Sequence, residues 1–341
     1  MSQKALLLTA KQGEWALGTR AIPKPGPGRI LIKIEAASLN PIDWKVKAYG
    51  MLIEDYPAVL GYGLAGTVAE LGKGVTNFAI GDRVATSGIV GNSEYCSFQQ
   101  YALGDARFTA KLPSNISFDE ASSLGVSLDT PALGLFGPLN AKLTSPIDKP
   151  GAYKGQTMVI LGGSATIAQF AIQLCRLAGY TNIITTASPA HDALLKSLGA
   201  THVIDRRLPT TEIIASIRSI EKGDIKVLYD AICDESTQAV GWGILAPGGH
   251  VAVSNYNIKN PGGETDTRTV ECSYGSPHIP PHHEFGEKLW GAVHDWLANG
   301  TIVVRVDVVP GGLDGIVAGL DRLKAGKASG IKLVVRPQDT A

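Results

Sequence analysis

TMVILGGSATIAQFAIQLCRLAGY (Thr157–Tyr180), followed by NIITTAS (Asn182–Ser188) and LLKSLGATHVIDRR (Leu194–Arg207), alternates apolar β-type runs with helical ones. The order is strand, glycine turn, helix, strand, helix, strand, the first half of a dinucleotide-binding βαβαβ unit. After the strand Met158–Leu161, Gly163, Ala165 and Ala168 stand where G-x-G-x-x-G would place glycines. The turn Gly163, Ser164, Ala165, Thr166 and Ile167 is therefore expected to bring backbone N–H groups at a helix N-terminus up to a pyrophosphate. In the helix, Gln169, Gln173 and Arg176 fall on one polar stripe and Ile167, Phe170, Ala171, Leu174 and Leu177 cover the rest, which predicts packing against a sheet. An NAD-specific site bonds the ribose 2′-hydroxyl with a carboxylate near the end of the second strand. Here that strand closes Thr185, Thr186, Ala187, Ser188, with Arg206 and Arg207 ending the third. A phosphate meets no like charge there, which favours NADPH. Ser188 also reads as an N-cap, because Pro189 follows it. Arg206 and Arg207 read equally as a solvated strand end.

The chain has 341 residues, enough for two domains with buried cores. Lys and Arg number 31, as do Asp and Glu, a balance that argues against electrostatic capture of nucleic acid or anionic membrane. The opening MSQKALLLTAKQGEW is too short in its apolar run for a signal segment, and no stretch approaches the ~20 apolar residues of a membrane span. The expectation is a soluble, cytoplasmic protein whose chain begins with a β-strand. Cysteines 96, 175, 233 and 272 lie far apart, which fits thiols in a reducing compartment. His278, His282 and His283 read as a solvated loop, since Pro280 and Pro281 break the helical spacing that would align two imidazoles.

Residues 1 to about 125 carry short β-type runs (Ile30–Ile34, Thr67–Leu71, Arg83–Ala85) between turn signals such as PKPGPG and IGD. Pro138–Gln156 reads as a loop into the nucleotide domain. Beyond it come a helix near Thr211–Glu221, a strand Lys226–Ala231, a helix near Ser236–Leu245, a strand His250–Ser254 after the turn PGG, and a sixth strand Arg268–Ser273. These complete a doubly wound sheet. A helix near Phe285–Asn299 and strands around Val303–Val309 and Lys332–Val335 remain, and are expected to return to the first domain.

AASLNPIDWK (Ala36–Lys45), PAVLGYGLAGTVAELGKGVTNFAIGDRV (Pro57–Val84), the GGSATIAQFAIQL turn and the closing SGIKLVVRP together resemble the medium-chain dehydrogenase/reductase superfamily. Within it the chain is most similar to the zinc-independent quinone and enoyl reductase branch, including fungal double-bond reductases. The resemblance implies an α/β chain: a GroES-like, β-rich catalytic domain from residues 1–125 and 276–341, and an inserted Rossmann domain, 126–275, that binds NADP(H). Zinc alcohol dehydrogenases of the superfamily carry a catalytic cysteine where this sequence has Asn40, and His-Glu where it has Tyr62 and Gly63. Their third ligand falls near Val126, and their four-cysteine lobe is missing. The resemblance thus implies no metal.

With no Lewis acid to polarise a carbonyl, the acceptor of hydride is an activated C=C bond or a quinone. Addition at the β-carbon of an enal or enone leaves an enolate, which needs hydrogen-bond donors at its oxygen and a proton at the α-carbon. Lys45 stands where related quinone reductases place a pocket tyrosine, and Tyr62 replaces the ligand histidine. Tyr49 and Tyr56 occupy the loop where related enoyl reductases hold a catalytic tyrosine. Asn40 also reads as an N-cap, Pro41 as the first helical residue, and Asp43 as both a dipole-complementing carboxylate and an i,i+4 partner of Lys47. The resemblance sets Thr130 beside the nicotinamide and Ser254 to Tyr256 near its carboxamide, with Lys332, Asn40 and Pro41 as further cofactor contacts. The expected activity is NADPH-dependent, metal-free reduction of the C=C bond of α,β-unsaturated aldehydes or ketones. Quinone reduction, trans-acting enoyl reduction of a carrier-bound polyketide, and a catalytically silent NADPH-binding protein are the alternatives, in a monomer or homodimer.

Overall fold

The computed structural model describes residues 1–254, 262 and 265–341. The chain divides into two compact units, Met1–Val126 with Gly286–Ala341, and Ser127–Phe285. The first unit opens with β1 (Ser2–Leu8), β2 (Trp15–Ala21), β3 (Arg29–Ser38), α1 (Pro41–Tyr49), β4 (Ala58–Val59), β5 (Gly63–Leu71), β6 (Arg83–Ser87), β7 (Tyr101–Asp105), β8 (Thr109–Lys111) and α2 (Phe118–Ser122). Strands β1 and β2 form an antiparallel pair from Ser2↔Ala21 to Leu8↔Trp15, with β4 on the other side of β1.

The helix α3 (Gly125–Phe136) leads into the second unit, which continues with β9 (Thr157–Leu161), α4 (Thr166–Ala178), β10 (Asn182–Ala187), α5 (Asp192–Leu198), β11 (His202–Asp205), α6 (Thr210–Ile220), β12 (Ile225–Asp230), α7 (Glu235–Ile244), β13 (Leu245–Val253) and β14 (Thr269–Cys272). The chain closes with α8 (His283–Ala298), β15 (Val306–Val308), α9 (Gly315–Lys324) and β16 (Lys332–Val335). Among the described residues no helix is long and apolar enough to cross a membrane.

The larger sheet of the first unit runs β15-β16-β3-β5-β6-β8, with β7 also paired to β3. RILIKIEAAS of β3 alternates as a half-buried strand should, with Ile30, Ile32 and Ile34 fully buried. The last strand, β16, enters antiparallel to β3 through Val334↔Ser38 and Val335↔Ala37. The chain's end therefore completes a sheet begun near its start. Helix α9 carries no strong signal in the sequence reading. Its interior Gly319 faces Leu39, and a Cβ there would lie 2.3 Å from Leu39 Cδ1. Of the strand expected over 303–309, only Val306–Val308 pairs, parallel to β16.

The second unit is an all-parallel sheet in the order β11-β10-β9-β12-β13-β14. In strand rank this is 3-2-1-4-5-6, the doubly wound order, and ligands of such sheets bind outside the carboxyl ends of the strands. Helix α4 ends at Gly179, φ 92°, whose N–H donates to the Arg176 and Cys175 carbonyls. The expected polar stripe on α4 is corrected. Gln169 and Gln173 are 6% and 0% exposed, because each amide has a local acceptor: Gln169 Nε2 donates to Ser164 O at 3.0 Å and Gln173 Nε2 to Gln169 O at 3.2 Å. The histidine loop is corrected as well, since His282 is fully buried. All four cysteines are free thiols, and three of them are buried.

Candidate active site

In the first unit, β3 delivers the chain to Asn40, which stands at the N-cap position of α1 with φ −127° and ψ 150°, and Pro41 occupies the first helical turn, where its missing N–H costs nothing. Asn40 N donates to Asp43 Oδ2 at 2.7 Å, and Gly61 N donates to Asp43 Oδ1 at 3.1 Å. Lys332 Nζ, arriving on β16, donates to Asn40 Oδ1. Asn40, Asp43 and Lys332 are 2%, 0% and 4% exposed. Burial pushes the Asp43 carboxyl up to about 7, although the Asn40 and Gly61 N–H groups and the Lys332 charge favour its ionised form. Burial likewise pulls the Lys332 ammonium down to about 8, against the attraction of Asp43.

One expectation changes here, while Asn40 holds the N-cap position as read. Asp43 is not the partner of Lys47, which pairs instead with Glu14 at 3.7 Å; burial turns the carboxylate inward. The Asn40 side chain turns to Lys332 and, through Nδ2, to Ser38 O at 3.2 Å. Zinc requires thiolate, imidazole or carboxylate donors. At the position of the superfamily's ligand cysteine this chain presents an amide oxygen already accepting from an ammonium, so these residues do not fit zinc. Among the described residues no group of three His, Cys, Asp or Glu side chains is placed to hold a metal ion.

Lys45 is half-buried, its Nζ 5.9 Å from the centroid of the Trp44 ring. Lys324 Nζ of α9 lies 5.8 Å from the same ring. The three tyrosines occupy different settings. Tyr62 is 1% exposed within the hydrophobic core. Tyr56 donates to Ile53 O at 3.2 Å, and Tyr49 is 62% exposed with its ring 6.1 Å from Trp44.

In the second unit the turn after β9 is built by two glycines. Gly162 has φ 79°, and a Cβ there would fall 2.3 Å from Ile232 Cγ1; one on Gly163 would fall 2.3 Å from Thr185 Oγ1. Gly162 N donates to Thr186 Oγ1 at 3.0 Å and Gly163 N to Thr186 O at 2.9 Å, which ties the turn to β10. Gly163 and Ala165 therefore use their N–H groups inside the turn, the latter toward Gly162 O at 2.9 Å. Thr166 and Ile167 open α4, where a helix offers no acceptor four residues back. The cap residue Ala165 has no side chain to bond them, and the first turn holds no acidic residue. Such a terminus fits a dinucleotide pyrophosphate.

Arg206 N donates to Ala187 O at 3.0 Å, which sets exposed Arg206 beside the β10 end that carries Ser188. Ser188 holds a cap position, but its side chain makes no capping bond. Arg207 pairs with Asp205 at 2.7 Å. Ser254 follows β13 at the same sheet end, its Oγ 3.8 Å from Cys233 Sγ. Thr130 is 7% exposed on α3, packed so closely to Gly275 that a Cβ there would lie 2.1 Å from Thr130 Oγ1. Tyr256 lies outside the described residues. Two participants escaped the sequence reading, Asp43 and Gly162. The signal for Gly162 is the paired glycine directly after the strand; Asp43 reads locally as a helix cap, and its partner is far away in sequence.

A mostly antiparallel sheet that β16 completes, together with an inserted doubly wound parallel sheet whose first helix starts uncapped, defines a medium-chain dehydrogenase/reductase. Residues 26–118 match the alcohol dehydrogenase GroES-like domain family and residues 166–269 the zinc-binding dehydrogenase family. The chain is 31% identical to a trans-enoyl reductase of Gibberella fujikuroi, over 96% of this chain and 98% of that protein. It is 32% identical to the enoyl reductase component of the lovastatin nonaketide synthase of Aspergillus terreus, over 90% of this chain and 89% of that protein. A solved alcohol dehydrogenase superfamily protein from Novosphingobium aromaticivorans shares the fold, with TM-score 0.80 at 24% identity over 98% of this chain and 99% of that one. The chain belongs to the medium-chain dehydrogenase/reductase superfamily of oxidoreductases, and within it is enoyl reductase-like.

Proposed function

We propose that the protein reduces the C=C bond of α,β-unsaturated aldehydes or ketones, using NADPH and no metal. The observation that carries this reading is the Lys332–Asn40–Asp43 network, which puts an ammonium and an amide where zinc enzymes of the superfamily hold a thiolate. The names of the enoyl reductase relatives favour a C=C bond as acceptor. The absence of a carboxylate over Thr185–Ser188, with Arg206 alongside, favours the 2′-phosphate of NADPH.

The dinucleotide supplies a hydride for the substrate β-carbon. In this reading the α4 terminus at Thr166 and Ile167 holds the pyrophosphate, Ser188 and Arg206 bind the 2′-phosphate, and Thr130 and Ser254 orient the nicotinamide. Lys45 donates to the substrate carbonyl oxygen as charge develops there. Its ammonium carries three donors, whereas the Tyr56 hydroxyl already donates to Ile53 O and Tyr49 is largely exposed. Tyr62 supports the pocket from the core.

Incubation with NADPH deuterated at C4, a panel of enals, enones and quinones, and a chelator tests the proposal. Deuterium at the β-carbon of a saturated product, unchanged by chelation, is the expected result; loss of turnover on chelation or transfer only to quinones would overturn it. The relatives' names also favour a substrate presented on a carrier protein. Tight NADPH binding with turnover only of carrier-bound enoyl thioesters is the outcome that selects this second reading.

A further inference from the structure

Beside the outer strand β14 lies a cavity of about 430 Å³ lined by Leu139, Asn140, Val270, Glu271, Cys272, Tyr274 and His282. None of these residues belongs to the proposed reductase site. The volume is within the range of small-molecule sites. Two of its lining groups are buried acceptors without a partner: His282 Nε2, on a side chain 0% exposed, and Asn140 Oδ1, on one 9% exposed.

The state of the imidazole follows from its other nitrogen. His282 Nδ1 lies 2.9 Å from Ser276 O. A carbonyl only accepts, so Nδ1 carries the proton. Burial holds His282 below its ordinary value, with the Ser276 carbonyl working against that shift, so the ring is neutral and Nε2 offers a lone pair. Burial also raises the Cys272 thiol to about 11 and raises the Tyr274 phenol; both are neutral. Apart from exposed Glu271 the lining is uncharged and part apolar through Leu139 and Val270, and no donor in it bonds the two acceptors. A buried acceptor left without a donor is destabilising and is rare in native proteins.

We propose that this cavity is a second binding site, for a small neutral molecule with an apolar body and two hydroxyl donors, which reach His282 Nε2 and Asn140 Oδ1. The probe is resorcinol, a flat ring with two hydroxyls, compared with 1,3-dimethoxybenzene, which has the ring but no donors. Calorimetry on the full chain should show resorcinol binding at least about tenfold more tightly, the worth of roughly one well-made hydrogen bond. Asn140→Leu, which keeps the number of side-chain heavy atoms and removes the acceptor, should reduce that preference by the share of one hydrogen bond. His282→Phe removes the other acceptor but also the Ser276 contact, so Asn140→Leu is the deciding variant.

Cys272 locates the ligand. The other three thiols are buried, so methyl methanethiosulfonate should modify Cys272 first, and bound resorcinol should slow that reaction. Equal affinity for the two probes, resorcinol binding that leaves the Cys272 rate unchanged, or no binding up to ~10 mM would each overturn the proposal.

Discussion

Lys332 and Asp43 set the electrostatics of the first unit, and they do so as a pair. Burial raises the Asp43 carboxyl from 3.8 to about 7. Between those values the folded state keeps a proton that the unfolded chain has released. The group's contribution to stability is therefore fullest below the unfolded value and declines as pH rises through about 7. Lys332 opposes that rise, so Lys332→Met should steepen the decline. In urea unfolding the variant's extra loss should be small at acid pH, where the carboxyl is protonated with or without Lys332, and should grow as pH rises above about 7. Adding Asp43→Asn should flatten the difference; equal losses at both pH values would dismiss the ion pair. For the proposed chemistry, Lys45→Ala should lower kcat by about 10²-fold with little change in NADPH affinity, as loss of a transition-state donor does. Such residues were only partly legible in the sequence. Asn40, Pro41 and Lys45 stood out within one motif, whereas the bond from Lys332 to Asn40 spans 292 positions, a separation that no local pattern encodes.

Helix α4 shows what periodicity can and cannot give. Its start after the glycine turn and its apolar character were readable, because each depends on neighbours in the chain; its end at Gly179 is seen in the structure. The burial of Gln169 and Gln173 was not, because it depends on acceptors one turn away that satisfy their amides. The turn that precedes the helix was read through Gly163, while the positive φ belongs to Gly162. The bare cap makes a sharp test of the helix's task. Ala165→Asp should accept from the first-turn amides and stabilise the fold by about 0.5–2 kcal/mol, while its charge repels a pyrophosphate. Thermal unfolding should therefore shift upward as NADPH affinity falls tenfold or more in a titration; a rise in both would remove the pyrophosphate from this terminus. At the end of β10, Ser188→Asp should turn the preference from NADPH toward NADH, read as the ratio of kcat/KM for the two.

At the scale of the molecule, the strand order of the parallel sheet is read from the pairing, but the fold class and the sheet's doubly wound character followed from the alternation of strand and helix patterns. The place of the closing strand did not: KLVV looks like any short buried strand, and only pairing shows that it lies between β15 and β3. Deleting residues 331–341 should accordingly open β3 along one edge and strand Asp43 without Lys332. Hydrogen exchange should rise across β1 to β8 while β9 to β14 keep their protection; uniform loss in both units would show that they unfold as one. That dependence on β16 also bears on how the chain is made. A ribosome adds about 5–20 residues each second, and the strands of the parallel sheet, β9 to β14, are all synthesised well before Lys332. The inserted unit can close while the earlier one waits, its β3 edge unfilled, until Lys332–Val335 are translated. An earlier-made segment is thus completed after a later one, and through that interval it is residues 1–126, not the inserted parallel sheet, that a chaperone would need to shield.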